Sequence, residues 1–144
     1  MRRLLLALIM LLSVASASFA QDDVNETLNG LKERTKMLFV KAAKSDVEMT
    51  IPMGLELYFM DNGVYPSTEE GLLALAVRPD SAQNWNGPYV RTEKTIIDPW
   101  GNPYAYQYPF GDTDGYIVYS FGPDGKKGTK DDIVFKSFEI TEEQ

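Results

Sequence analysis

Apolar residues recur along this chain in three rhythms, and each rhythm predicts a different element. From Leu4 to Leu12 they form an unbroken run. From Val24 onward they come at steps of three and four. Val24, Leu28, Leu31, Leu38 and Ala42, with Thr35 in line, make one stripe of a helix, and Lys32, Glu33, Lys36, Lys41 and Lys44 lie off it. Asp23 followed by Glu26 predicts a capping box that opens this helix at Val24. The helical rhythm continues through Val47, Ile51, Leu55, Tyr58 and Phe59. Pro52 falls inside it and removes one backbone donor, which predicts either a kink or a break near Thr50. Asp61-Asn62-Gly63 then ends the helix, because Asn and Gly tolerate the left-handed turn of a helix C-terminus.

The third rhythm is short runs of aromatic and β-branched residues between turns. Tyr104 to Tyr108, Tyr116 to Ser120 and Ile133 to Lys136 are rich in aromatic and β-branched residues and predict three strands. Gly111-Asp112-Thr113-Asp114-Gly115 predicts the hairpin between the first two. Ahead of them, Ser67-Thr68-Glu69-Glu70 reads as the cap of a short helix carrying Leu72, Leu73, Leu75 and Ala76. Residues 80–103 form a Pro-, Gly- and Asn-rich loop, ordered only if Trp85, Tyr89 and Trp100 are buried as pegs. A long helix first and an antiparallel sheet last predict an α+β fold, the three-stranded sheet laid on the helix. The expected divisions are 1–20 as a leader and 21–144 as one globular domain. Within that domain, 23–61 is a helical lead-in, 66–103 a second short helix and loop, and 104–138 the sheet with its C-terminal loop.

The first twenty residues read as a secretory signal peptide. Arg2 and Arg3 form the positive end, Leu4–Leu12 the apolar run, and Ser18-Phe19-Ala20 supplies small residues before the cut. The run is too short for a membrane span, which takes about 20 apolar residues. The helix after it is amphipathic, so no transmembrane segment is expected once the leader is cleaved. That predicts a periplasmic or secreted chain. Cleavage before Gln21 removes Arg2 and Arg3, taking the formal charge from −7 to −9.

Composition narrows the chemistry. The chain has no histidine and no cysteine, which excludes imidazole relays, thiol nucleophiles, disulfides and the usual zinc sites. No enzyme is expected. The net charge of −7 argues against a nucleic-acid partner, and no motif suggests a small-molecule substrate. Oxygen is the remaining good metal donor, which favours a hard cation.

Aspartates cluster in two loops near the C-terminus. Asp124, Asp131 and Asp132 sit within nine residues of one another, on a loop that Gly125 and Gly128 allow to fold back. Carboxylates about 4 Å apart repel by roughly 4 kcal/mol at an effective dielectric near 20, and a calcium ion reverses that sign. The spacing is not that of an EF-hand. It is equally compatible with a solvated turn whose acids are neutralised by Lys126, Lys127 and Lys130. Asp112 and Asp114 read as plain turn residues, and Asp61, Glu69 and Glu70 as helix-capping acids.

Several stretches together resemble the major pseudopilin of type II secretion, the G component of that machinery. Leu55 to Pro66 is similar to the end of its long helix and the turn that follows, and Thr68 to Leu75 to its second helix. Gly87-Pro88-Tyr89 and Asp98-Pro99-Trp100-Gly101-Asn102-Pro103-Tyr104 resemble its loop and the start of its sheet. Tyr119 to Gly125 with Asp131-Asp132-Ile133 resembles its calcium loop. The resemblance implies a pilin-like fold and a structural Ca2+ held by Asp124, Asp131 and Asp132, with backbone oxygens near Phe121 completing the shell. It also implies other pseudopilins or secretion-system components as partners. Members of that family begin with a prepilin leader and a long apolar helix that polymerises them. Here a signal peptide is expected instead, so filament assembly through such a helix does not carry over. The expected role is an accessory of a type II secretion or related pilus-like system. A free-standing, calcium-stabilised periplasmic binding protein is the alternative.

Overall fold

The computed structural model of the protein describes residues 2–138, with side chains described for 21–138. The leader expectation for residues 1–20 therefore falls outside the described side chains. The chain divides into two compact units, residues 1–38 and 39–144. The first is helical throughout its described length. Helix α1 spans Arg2–Ser45, so Asp23 and Glu26 lie within a helix rather than at its start. The expected stripe is present, yet residues 21–42 are exposed all round.

In the second unit the helix continues without a break. A π-helical stretch, Asp46–Thr50, joins α1 to α2, Ile51–Asn62. Ile51 donates its N–H to the Asp46 carbonyl, five residues back. Pro52 stands in the first turn of α2, directly after the π-helical stretch. Pro52 thus does not split the helix; a widened turn precedes it. Gly63, at φ 75°, caps α2 by donating to the Phe59 carbonyl at 2.7 Å.

Next come 3-10 turns at Gly71–Leu75 and Glu93–Ile96, where the sequence predicted one α-type helix and a loop. Ser67 and Glu70 form a reciprocal capping box. The Ser67 N–H donates to Glu70 Oε2 at 2.8 Å, and the Glu70 N–H to Ser67 Oγ at 3.2 Å. Gly71 then adopts φ +61°, which tightens the chain into a 3-10 turn instead of an α-helix.

Strands β1 (Ala105–Gln107), β2 (Ile117–Ser120) and β3 (Ile133–Lys136) pair antiparallel in that spatial order. Tyr106, Val118 and Phe135 stand opposite one another across the sheet; Val118 is buried in the core, and Tyr106 and Phe135, half-buried, pack against it. One face of the helix, Val47, Ile51, Leu55 and Tyr58, closes that core together with Leu72, Leu75, Val90, Tyr104 and Tyr116. The fold is α+β, a long helix packed on a three-stranded antiparallel sheet, as the sequence predicted. Phe59, expected on the buried face, is 39 % exposed and lies on the Tyr65 ring.

Loop 80–103 is pegged by its aromatics. Trp85 donates its indole N–H to the Ala74 carbonyl at 2.9 Å. Tyr89 meets Tyr58 edge-on and donates to Asp61 Oδ2 at 2.8 Å. Trp100 meets Phe39 edge-on. Among the described residues, no helix is long and apolar enough to cross a membrane.

Candidate metal-binding loop

The loop between β2 and β3 is held from beneath by a buried carboxylate. Asp98 is 4 % exposed. Its Oδ1 accepts the Asn102 N–H at 2.8 Å and the Trp100 N–H at 3.0 Å, closing the Asp-Pro-Trp-Gly-Asn turn. Its Oδ2 accepts the hydroxyl of fully buried Ser120 at 2.8 Å. Ser120 Oγ in turn accepts the Gly122 N–H at 3.1 Å. Two loops far apart in sequence are thereby fixed to one another where β2 ends.

Gly122 begins the loop at φ +67°, and a β-carbon there would lie 2.6 Å from the Asp131 carbonyl oxygen and 2.7 Å from Asp131 Oδ2. The missing side chain is what lets Asp131 close against the backbone that follows Phe121. The Phe121 ring itself packs edge-on against Tyr119. Asp124 turns back on its own loop and accepts the Lys126 N–H at 2.9 Å. Asp132 Oδ2 accepts the Gly128 N–H at 2.7 Å.

The three carboxylates meet at Thr129, which the sequence reading did not single out. Its hydroxyl oxygen lies 2.7 Å from Asp131 Oδ1, 3.3 Å from Asp132 Oδ1, 3.4 Å from Asp124 Oδ1 and 3.3 Å from the Lys126 carbonyl. A hydroxyl has one proton to donate. Four acceptor oxygens, three of them on carboxylates, therefore converge on this one hydroxyl, and Asp124 Oδ1 accepts the Lys126 N–H as well. Among the described residues the acids are not gathered into a ready-made metal cluster; they ring a hydroxyl. Oxygen-only donors, convergence from one flexible loop, and a glycine cradle for Asp131 fit a hard cation. Of the lysines, Lys127 lies over the Tyr119 ring, 5.4 Å from its centre.

The remaining acids have structural places. The hairpin at 111–115 is shaped through Thr113, whose hydroxyl donates to the Phe110 carbonyl at 2.7 Å. Glu70 caps its turn as expected and also accepts the Ser81 hydroxyl, which holds its carboxyl below the usual range. Asp61 does not cap α2; it receives Tyr89. Thr129, Asp98 and Ser120 escaped the sequence reading because their partners are distant or because a lone hydroxyl carries no pattern. The Asp-Pro-x-Gly-Asn run, with turn residues on both sides of an acid, was the one signal that marked Asp98.

An α+β domain with a long N-terminal helix, a three-stranded antiparallel sheet and an acid-rich loop before the last strand defines a pilin-type class. The family model for type II secretion system (T2SS) protein G matches residues 29–136, and this chain belongs to that family. It is 43 % identical over 96 residues to type II secretion system core protein G of Pseudomonas aeruginosa, a match spanning 64 % of this chain and 65 % of the relative. With the Aeromonas hydrophila core protein G it is 38 % identical over 112 residues, spanning 74 % and 72 %. The crystal structure of the major pseudopilin from the type 2 secretion system of enterohaemorrhagic Escherichia coli superposes with a TM-score of 0.60 at 32 % identity. That match covers 72 % of this chain and 87 % of the other. The chain thus spans about two thirds of the length of the sequence relatives it matches.

Proposed function

We propose that this chain serves type II secretion as a structural, non-catalytic subunit or accessory, its globular unit held in order by one calcium ion. Asp124, Asp131 and Asp132 would hold the ion, with backbone oxygen from the segment at Phe121. The convergence of three carboxylates on the Thr129 hydroxyl carries this reading. A bound divalent cation neutralises that crowding and ties the β2–β3 loop to itself. Its partners are other pseudopilins or components of the secretion machinery, a reading supported by family membership. The leader-like residues 1–20 support export, with the mature domain in the periplasm or outside the cell. Nothing in the fold or the loop favours the independent binding protein over this role.

The test of the ion is a thermal melt in 1 mM calcium against excess chelator, with calorimetric titration of calcium. Calcium at 100 times its dissociation constant adds about 2.7 kcal/mol, roughly 10 °C for a domain of this size. Asp131→Asn and Asp132→Asn abolish the difference. A melting temperature indifferent to calcium would overturn the metal reading. For the secretion role, deletion of the chain from its cell is expected to reduce export through the type II pathway, and undiminished export would sink it.

A further inference from the structure

We propose that the α1 surface centred on Leu31 is a docking seam for an acidic amphipathic helix of a different polypeptide. The inference goes beyond the role above and does not depend on calcium. Val24, Leu28, Leu31, Thr35 and Leu38 follow one another at steps of four, three, four and three, the 3.5-residue repeat of a two-helix seam. All five stand within one uninterrupted helix, Arg2–Ser45, and within the unit formed by residues 1–38. The seam is about 20 Å long. Val24, Leu28, Leu31 and Leu38 are 51, 47, 53 and 65 % exposed, so this repeat has no partner within its own unit. Thr35 adds no unpaired polar group, because its hydroxyl donates to the Leu31 carbonyl at 3.0 Å.

Charge selects the occupant. At the positions beside the seam the charged residues are Lys32 and Arg34, while Glu26 and Glu33 fall on the opposite side of the helix. These positive flanks occur in a chain whose net charge is −7. A second copy would bring only further positive charge to the seam and no flanking carboxylate. Flanking pairs of opposite sign set partner choice in two-helix assemblies. The complement is a helix with apolar residues at the same repeat and Glu or Asp beside them. A lipid surface is the weaker fit, since membrane-lying helices present a broad apolar face with aromatic anchors, whereas this stripe is one or two side chains wide.

A photo-crosslinking phenylalanine analogue in place of Leu31, in the full chain expressed in its own cell, reads the occupant directly. The expected product is a crosslink to another protein, mapped by mass spectrometry to a heptad segment with acidic flanks. Charge reversal by Lys32→Glu with Arg34→Glu lowers its yield about tenfold, while Glu33→Lys on the far side leaves it unchanged. Circular dichroism of the charge-reversed chain checks that its fold is intact. Crosslinks to a second copy, to a segment without acidic flanks, or to nothing overturn the proposal. So does binding of the purified chain to phosphatidylglycerol–phosphatidylcholine vesicles that accounts for the crosslinking, and so does a yield indifferent to charge reversal.

Discussion

Ser120 donates its hydroxyl to Asp98 Oδ2 at 2.8 Å, and both residues are buried. This one bond joins the turn before the sheet to the strand that launches the acidic loop. Removing the hydroxyl leaves a buried carboxylate oxygen short of a donor and the Gly122 N–H short of an acceptor. Ser120→Ala is expected to cost about 1.5–3 kcal/mol in urea denaturation. A midpoint unchanged at constant slope would show that the connection has no structural weight.

The loop makes a sharper demand at Gly122. Alanine there must hold φ near +67° and bring a β-carbon to 2.6 Å from the Asp131 carbonyl. The backbone conformation alone costs about 1–2 kcal/mol, and displacement of Asp131 adds to it. Gly122→Ala is expected to destabilise by at least about 2 kcal/mol and, on the calcium role proposed above, to weaken calcium binding more than tenfold. Wild-type calcium affinity in this variant would separate Asp131 from the metal.

Alkaline pH acts on buried tyrosines. Burial pushes the Tyr65 phenol up to about 12, aided by its bond to Glu56. Burial likewise raises Tyr104, Tyr106 and Tyr116 above their ordinary value. The unfolded chain ionises these phenols near pH 10, whereas the folded chain holds its protons longer. The folded state therefore binds more protons above pH 10, and stability falls with rising pH. It is expected to be level up to about pH 9.5 and to drop steeply beyond it, with phenolate absorbance rising together with loss of circular dichroism. Ionisation of all the tyrosines near pH 10 in a still-folded protein would contradict this.

At the acid end the capping box matters. The Ser81 hydroxyl holds the Glu70 carboxyl low, so its contribution is complete above the ordinary carboxylate range and is lost as pH falls through the lowered value. Glu70→Gln keeps the cap geometry but removes that acid-side dependence. Ser67→Ala removes the cap itself and is expected to cost about 1 kcal/mol at neutral pH. Equal acid sensitivity in wild type and Glu70→Gln would refute the assignment.

What the sequence made legible was local. Gly63 ends its helix, Ser67 and Glu70 cap their turn, and the three aromatic and β-branched stretches become three strands, because each depends on neighbours a few residues away. The acids Asp124, Asp131 and Asp132 were legible as a group, since one loop carries them all. Their meeting point was not. Thr129 is one hydroxyl among many until the loop folds, and Asp98 and Ser120 find each other only when the turn before the sheet packs under β2. Asp61 was read as a cap because it stands at a helix end, but Tyr89 reaches it from loop 80–103. The stripe from Val24 was legible as helix, while its exposure was not, because periodicity states which residues share a face and not what covers it.

The π-helical stretch also bears on how the helix counts. The buried residues Ala43, Val47, Ile51, Leu55 and Tyr58 are separated by steps of four, four, four and three. Each step of four overshoots an α-helical turn by about 40°, so a regular helix would carry this row off the sheet. The wider turn at Asp46–Thr50 winds more slowly and brings the row back. Deleting Glu48, Met49 or Thr50, all exposed, would leave steps of four, three, four and three, the spacing of an ordinary α-helix. The helix thus contains one residue of slack at Asp46–Thr50, where its length can change without turning the core face away from the sheet.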